Sequence, residues 1–556
     1  MVSNMEMEQT KQMVGQHFVA GFAGLKLSEE FVRLIKEYKI GNVILFRQNV
    51  KSKEQLTALC EEIQQLVKQE TGHPAFITID QEGGVVTRLS EEFCNTPEGM
   101  ALSATGKLED IKTCARITAR QLKSCGVNFN LAPVLDVNNN PQNPVIGVRS
   151  FGDTPQKVAE STQAVIEGYR EENLISCGKH FPGHGDTAVD SHLGLPVVDK
   201  TLEELMEFEL VPFRSAIDHQ IPAMMSSHIL FPSIEEKKVP CTMSRTIITD
   251  ILKKKLGFEG LVVSDCMEMN AIKTYYGSVQ GVQGALGAGV DLVCISHSAE
   301  VVEQSVQAVY QALEDGTLSI EEMEQSTAKI LAYKEKYEIG GGCQLYDDRE
   351  DKKIEREIRR RTIAHVCGKD PVIGSHPVFI GCDNFCVTQA SNPEEDRSFA
   401  KFMPAQMGGT GIVTGIDPTE EEIQAALRQI PQNCDSIVLC TYNMHLKPGQ
   451  QKLLNALTAR ALPMTVVAMR NPYDLKGLPA GGTGIEAWDY SMEEVEQIAR
   501  GRQDKGITEV HIVGGVHPEH GLEYYIDMIR RVKAILPEAA VKAFTAIELS
   551  YMIRKA

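Results

Sequence analysis

Residues 179–196 read KHFPGHGDTAVDSHLGLP, placing His180, His184 and His192 beside Lys179, Asp186 and Asp190 in a Gly- and Pro-rich, non-helical stretch. A hydrated loop explains such a composition poorly, since three histidines fall within thirteen residues. A metal site would use His180, His184 and His192 with Asp186 or Asp190, but helix-borne i, i+4 pairing is absent. Proton transfer fits better. Residues i and i+2 of an extended segment project to one side, so Asp190 can accept a hydrogen bond from a ring nitrogen of His192. That bond fixes the tautomer and leaves the other nitrogen to give and take a proton.

The dyad lacks a nucleophile nearby in sequence. Asp265, in LVVSDCMEM, supplies a candidate. An aspartate after a strand also serves as a helix cap, and Met267–Ala271 reads as a helix start, so cap and nucleophile both stand. Asp80-Gln81-Glu82-Gly83-Gly84, Lys179-His180 and His228 share one property with Asp265: each follows a short apolar run.

Those runs are the elements that must position them. Eight occur before about residue 340: His17–Gly21, Val43–Phe46, Ala75–Ile79, Asn128–Ala132, Leu174–Cys177, Ala223–Ser226, Leu261–Ser264 and Asp291–Ile295. They are near-continuous and often β-branched, as strands buried on both faces should be. Amphipathic segments such as Lys53–Gln69 and Leu108–Ser124 separate them. A doubly wound sheet is the alternative, but eight units predict an α/β (β/α)8 TIM barrel, whose strand ends converge on one mouth.

Composition removes other classes of function. Lys+Arg is 56 against Asp+Glu 75, a formal charge of −19, which disfavours nucleic acid and anionic membranes as partners. No run approaches the ~20 apolar residues a membrane helix needs. The opening MVSNMEMEQTKQMVGQ lacks the basic and apolar regions of a secretory signal. The 14 cysteines are scattered through apolar runs, which reads as reduced thiols in a cytoplasmic protein. Cys382 and Cys386 form a close pair with no second pair to complete a zinc site.

KHFPGHGDTAVDSH, together with IDQEGGVVTRL, GVRSFG and LVVSDCMEM, strongly resembles glycoside hydrolase family 3 over about residues 10–340, in its β-N-acetylglucosaminidase (NagZ-like) branch. Family β-glucosidases typically lack the KHFPGHGDT…DSH loop. The resemblance implies a (β/α)8 barrel and two-step retaining hydrolysis with no cofactor and no metal. It makes Asp265 the nucleophile, His192 the acid/base and Asp190 its orienting partner. Asp80 would hold sugar hydroxyls, while Arg88, Arg149, Lys179 and His180 would grip the terminal N-acetylglucosamine. His228, in MSSHILFP, matches a pocket position. Cys266 stands where some relatives carry Asp, which leaves the nucleophile assignment untouched.

The texture changes at about residue 340. DDREDKKIEREIRRR, within 346–361, reads as a connecting helix with a solvated face. Apolar runs return at Val378–Ile380, Gly411–Thr414, Ser436–Cys440 and Met464–Ala468, separated by helical stretches such as Glu420–Gln429. They predict a second α/β domain like that of many family 3 chains, which the Asn471-Pro472-Tyr473-Asp474 turn also resembles. The last stretch, 489–556, instead resembles a fragment of a radical-SAM aminofutalosine synthase-type enzyme. Its pattern is helix, strand Glu509–Val513, Gly514-Gly515, helix, strand Ala540–Phe544. No cysteine follows Cys440, so the tail cannot hold that chemistry's iron–sulfur cluster. The expected division is a catalytic barrel at 1–340, a connecting helix at 341–365, a second domain at 366–488 and this tail at 489–556. The expected function is removal of terminal N-acetylglucosamine from a small carbohydrate or muropeptide. A phosphorylase, another family 3 β-glycosidase and a sugar-binding protein without catalysis are the alternatives.

Overall fold

The structure is a computed structural model describing residues 4–187, 194–343, 346–364, 371, 373–382, 398–478, 492–500, 509–512, 522–537 and 540–543. Eight parallel strands close a barrel in sequence order: β1 (Phe18–Ala20), β2 (Asn42–Leu45), β3 (Phe76–Ile79), β4 (Phe129–Asn130), β5 (Ile175–Phe181), β6 (Ala223–Ser226), β7 (Leu261–Cys266) and β8 (Leu292–Ile295). β1 pairs with β8, with Val19 opposite Cys294, and this closes the ring.

Strand alternation builds two cores. Val19, Ile44, Phe76, Phe129, Ile175, Leu261 and Leu292 fill the barrel interior. Their neighbours Phe18, Val43, Leu45, Ile77 and Val262 pack outward into the larger core shared with the helices. The helices carry local signals at their ends. Lys53–Thr71 starts at Ser52, whose hydroxyl accepts from the Gln55 N–H, and stops at Gly72, which is left-handed at φ 75°.

The N-terminal end of the barrel is plugged by helix Ile320–Lys336. Ile330 joins the interior core. Lys329 Nζ pairs with Asp291 at 2.6 Å, and Lys334 Nζ donates to Gln16 Oε1 and the Gly41 carbonyl at 2.7 and 3.1 Å. Each of these partners precedes a strand, so the chemistry is left to the opposite end.

Helix Arg349–Arg361 keeps a solvated face, with Glu350, Lys353, Arg356, Glu357 and Arg360 exposed, and buries the opposite one. Asp351, Glu355 and Ile358 are buried. Arg120 pairs with Asp351 at 2.6 Å and Arg361 with Asp110 at 2.7 Å, docking the helix on barrel helix Leu108–Ser124. The charge density that suggested solvation is matched by opposite charges too distant in sequence to be counted.

A second parallel sheet follows, ordered β10-β9-β11-β12: β9 (Pro377–Cys382), β10 (Thr410–Thr414), β11 (Ser436–Thr441) and β12 (Met464–Ala468). It clusters with the barrel in one compact unit, while residues from Leu478 onward cluster separately. Cys382 is buried in β9, and Cys386 lies outside the described residues. In the tail, helix Met492–Arg500, β13 (Glu509–Ile512), helix Leu522–Ile535 and β14 (Ala540–Ala543) occur in the expected order, with β13 parallel to β14. Val513, Gly514-Gly515 and Phe544 lie outside the described residues.

Candidate active site

The turn after β3 is held by side chains before it can hold anything else. Asn130, ending β4, accepts from the Gln81 N–H at 2.9 Å and donates to its carbonyl at 2.8 Å. The Gln81 side chain accepts from the Arg88 N–H at 2.8 Å, folding the turn back on itself. Gly84 sits at φ 53°, and a Cβ there would strike Glu98. Asp80, Glu82 and Arg88 therefore leave a fixed frame.

β5 runs through Lys179 and His180, beyond the apolar run that ends at Cys177, because these two polar residues find partners inside the barrel mouth. Lys179 Nζ lies 2.8 Å from Asp80 Oδ1 and 2.6 Å from Glu82 Oε1. Arg149 reaches the same Glu82 through two bonds of 2.8 Å, from Nε and Nη2. Arg88 Nη2 stands 3.9 Å from Asp80 Oδ2. Three cations thus surround two carboxylates at the floor of the mouth, where Lys179 is 2% exposed and Asp80 18%.

The electrostatics follow from that packing. Burial alone would raise Glu82, but Arg149 and Lys179 overcome it and hold the carboxyl well below its ordinary range. Burial would lower Arg149 and Lys179, yet Glu82 and Asp80 keep both cationic. Fixed charges of this kind cost no reorganisation when a polar ligand arrives.

Behind the floor, Asp136 organises two histidines. His180 Nδ1 approaches Asp136 Oδ2 at 2.7 Å, and Asp136 also accepts from the His180 and His184 N–H groups. That leaves His180 Nε2 toward Arg149 Nη2 at 3.5 Å. His184 Nδ1 lies 2.7 Å from Thr187 Oγ1, and burial pushes the ring down to about 4. Asn143 donates to the His184 and Gly185 carbonyls at 2.8 and 2.9 Å. Among the residues named for the zinc reading, His180 and His184 thus point at Asp136 and Thr187. Asp186 pairs with Lys200 at 2.6 Å.

Asp265 lies inside β7, and helix Asn270–Lys273 begins beyond Met269, which caps it without a side-chain bond. This removes the cap reading: the carboxyl instead accepts from the Cys266 N–H at 2.7 Å. Asp265 continues the alternation of Leu261 and Val263, whose side chains fill the barrel interior, and Asp80 continues that of Phe76 from β3. The two carboxylates therefore converge on one interior from β7 and the end of β3. His228 is fully buried, with Nε2 3.0 Å from the Cys266 carbonyl and Nδ1 3.0 Å from Thr242 Oγ1, so it braces the residue next to Asp265. Asp190 and His192 lie outside the described residues.

Asp80, Arg88, Arg149, Lys179 and His180 are thus brought together, with Asp265 facing the same interior. Sequence reasoning left Glu82 and Asp136 unassigned, although they hold the cluster in place. Glu82 is visible within the Asp-Gln-Glu turn; Asp136 lies early in the loop after β4, with no motif to mark it.

A closed eight-stranded barrel whose C-terminal mouth carries clustered carboxylates, guanidinium groups and imidazole, accompanied by a second parallel sheet, suits an enzyme that grips a polar, hydroxyl-rich ligand. Residues 5–333 match the N-terminal domain of glycosyl hydrolase family 3, and the chain belongs to that family. β-Hexosaminidase A of Pseudoalteromonas piscicida is 35% identical over 366 residues, which are 59% of this chain and 61% of that one. The β-hexosaminidase of Thiobacillus denitrificans is 35% identical over 288 residues, 51% of this chain and 78% of that protein. Among solved structures, a family 3 β-N-acetylglucosaminidase from Paenibacillus sp. FPU-7 superimposes with a TM-score of 0.79 at 35% identity, covering 84% of this chain and 91% of that one.

Proposed function

We propose that the protein is a retaining exo-β-N-acetylglucosaminidase that removes terminal N-acetylglucosamine from small, cell-wall-derived β-glycosides. The observation that carries this reading is the buried Lys179–Glu82–Arg149 network beside Asp80, with Asp265 in register with the interior-facing Leu261 and Val263 of β7. The β-hexosaminidase relatives support the choice of sugar.

Asp265 attacks the anomeric carbon, the C–O bond to the aglycone breaks, and a glycosyl-enzyme forms. His192 delivers its proton to the departing oxygen, then takes one from the water that attacks in the second step. Asp190 orients His192 and stabilises its charged form. Asp80 accepts hydrogen bonds from sugar hydroxyls, while Arg88, Arg149, Lys179 and His180 hold the sugar from the floor; His228 supports Cys266 from behind. Residues 1–340 form the catalytic domain, 341–365 the connection and 366–488 the second domain; 489–556 is a piece resembling a radical-SAM barrel. Twelve free cysteines among the described residues, nine of them buried, favour a cytoplasmic setting.

A phosphorylase is the second reading, because a neutral histidine as acid/base repels phosphate less than a carboxylate does. The test is a chromogenic N-acetylglucosaminide assayed beside the plain glucoside, with and without phosphate. Preference for the N-acetyl sugar without phosphate dependence supports hydrolysis. Sugar-1-phosphate as product makes the protein a phosphorylase, and equal kcat/KM on both sugars removes the N-acetylglucosaminidase assignment.

A further inference from the structure

The Asn471–Asp474 turn of the second domain faces the barrel loop that carries Arg149. Asn138 in that loop donates from Nδ2 to the Tyr473 hydroxyl at 3.1 Å. Asn138 is buried, and its Oδ1 has no hydrogen-bond partner among the described residues, so the Tyr473 hydroxyl is what holds this amide. His445 meets the same loop three residues later, with Nε2 3.2 Å from the Pro141 carbonyl. Its Nδ1 lies 2.8 Å from Asp474 Oδ1. Asp474 is fully buried and also accepts from Thr441 Oγ1 at 2.8 Å and from the His445 N–H at 3.2 Å. Carbonyl and carboxylate are both acceptors, so an imidazole N–H of His445 is the donor at either contact. The Tyr473 ring packs edge-on against His445 with centroids 5.7 Å apart. A Cβ on Gly147, two residues before Arg149, would stand 3.9 Å from Asn471 Nδ2.

The contacted segment also carries the groups that shape the candidate site. Asp136 holds His180, Asn143 holds the carbonyls of His184 and Gly185, and Arg149 reaches Glu82. Asn138 and Pro141 lie between Asp136 and Asn143. We propose that Tyr473 and His445 are positioning residues by which the second domain clamps the 136–149 loop and so sets affinity for the sugar. The second domain thus acts on substrate binding through Asn138 and Pro141 rather than as an inert scaffold. This rests on the assignment of Arg149 and His180 to the sugar site.

The experiment uses the full chain with Tyr473→Phe, His445→Ala and His445→Gln. Deuterium exchange of residues 131–150 needs no substrate and reads the clamp alone; exchange there should rise in Tyr473→Phe and His445→Ala. Losing one such hydrogen bond should raise KM for the N-acetylglucosaminide by about three- to ten-fold. kcat should stay within about twofold of the parent, since no transition-state contact is removed. His445→Gln, which keeps an N–H donor, should recover part of the loss. Unchanged exchange and unchanged KM would overturn the proposal. So would equal losses in kcat and melting temperature with no KM effect, which mark a merely structural role. Increased exchange in a chain that never cleaves the glycoside would keep the clamp and overturn the sugar assignment instead.

Discussion

Lys179 Nζ and Glu82 Oε1 meet at 2.6 Å with side chains only 2% and 7% exposed. Neither charge has water to fall back on, so each depends on the other and on Arg149 and Asp80. Removing one member of such a pair leaves an uncompensated buried charge.

Glu82→Ala should therefore destabilise the fold by about 3–5 kcal/mol, whereas removing Glu37, whose exposed carboxylate pairs with Arg33 at 2.8 Å on one helix, should cost about 1 kcal/mol or less. Denaturant melts of both variants decide it. Equal, small losses would mean that Arg149 and Lys179 find other partners without effort.

Much of this arrangement is legible in the sequence. The eight apolar runs located eight strands because barrel strands buried on both faces need uninterrupted apolar side chains. Their C-terminal limits were less legible. β5 continues through Lys179 and His180, two residue types that end a strand by composition, because Asp80 and Glu82 pair with Lys179 and Asp136 accepts hydrogen bonds from His180. The buried face of the connecting helix is illegible for the same reason, its Asp351 meeting Arg120 and its last arginine Asp110, partners far away in sequence. The motifs mark residues that would touch a ligand, whereas Asp136 and His445 bind other protein groups and lie in no motif, and Glu82 lies within IDQEGGVVTRL but pairs with Lys179 and Arg149.

His184 gives the fold an acid-sensitive feature. Burial lowers the ring to about 4 from an ordinary value of 6.5. The unfolded chain binds the proton first, so this contribution to stability is present above about pH 6.5 and is lost as pH falls toward 4. The full window corresponds to about 3 kcal/mol. Stability measured by denaturant between pH 7 and 5 should fall, and His184→Asn should flatten the slope. An unchanged slope in the variant would assign the effect to other groups.

The two proposed catalytic roles separate by leaving group. Asp265→Ala should abolish turnover of every substrate, since no glycosyl-enzyme can form. His192→Ala should slow alkyl glycosides by about 10²–10⁴-fold and activated aryl glycosides far less, because an aryloxide departs with little protonation. Equal loss on both substrates would take the acid role from His192.

Deleting 489–556 should leave glycosidase kinetics unchanged. Every residue assigned to the site lies at or before Asp265, and the barrel completes its last strand at Ile295. The chain from Leu478 onward clusters apart from the unit that holds barrel and second sheet. What the described tail contains is one parallel strand pair with two helices, tied by Arg531 to Glu496 at 2.9 Å and by a core of Ala499, Ile535 and Leu536. A two-stranded unit with so small a core gains little stability of its own. Truncation should therefore give the parent kcat and KM with equal or better solubility, as a marginally stable unit is removed. Loss of activity, or unfolding of the truncated chain, would instead make the tail an integral part of the second domain and end its reading as a fragment of another enzyme.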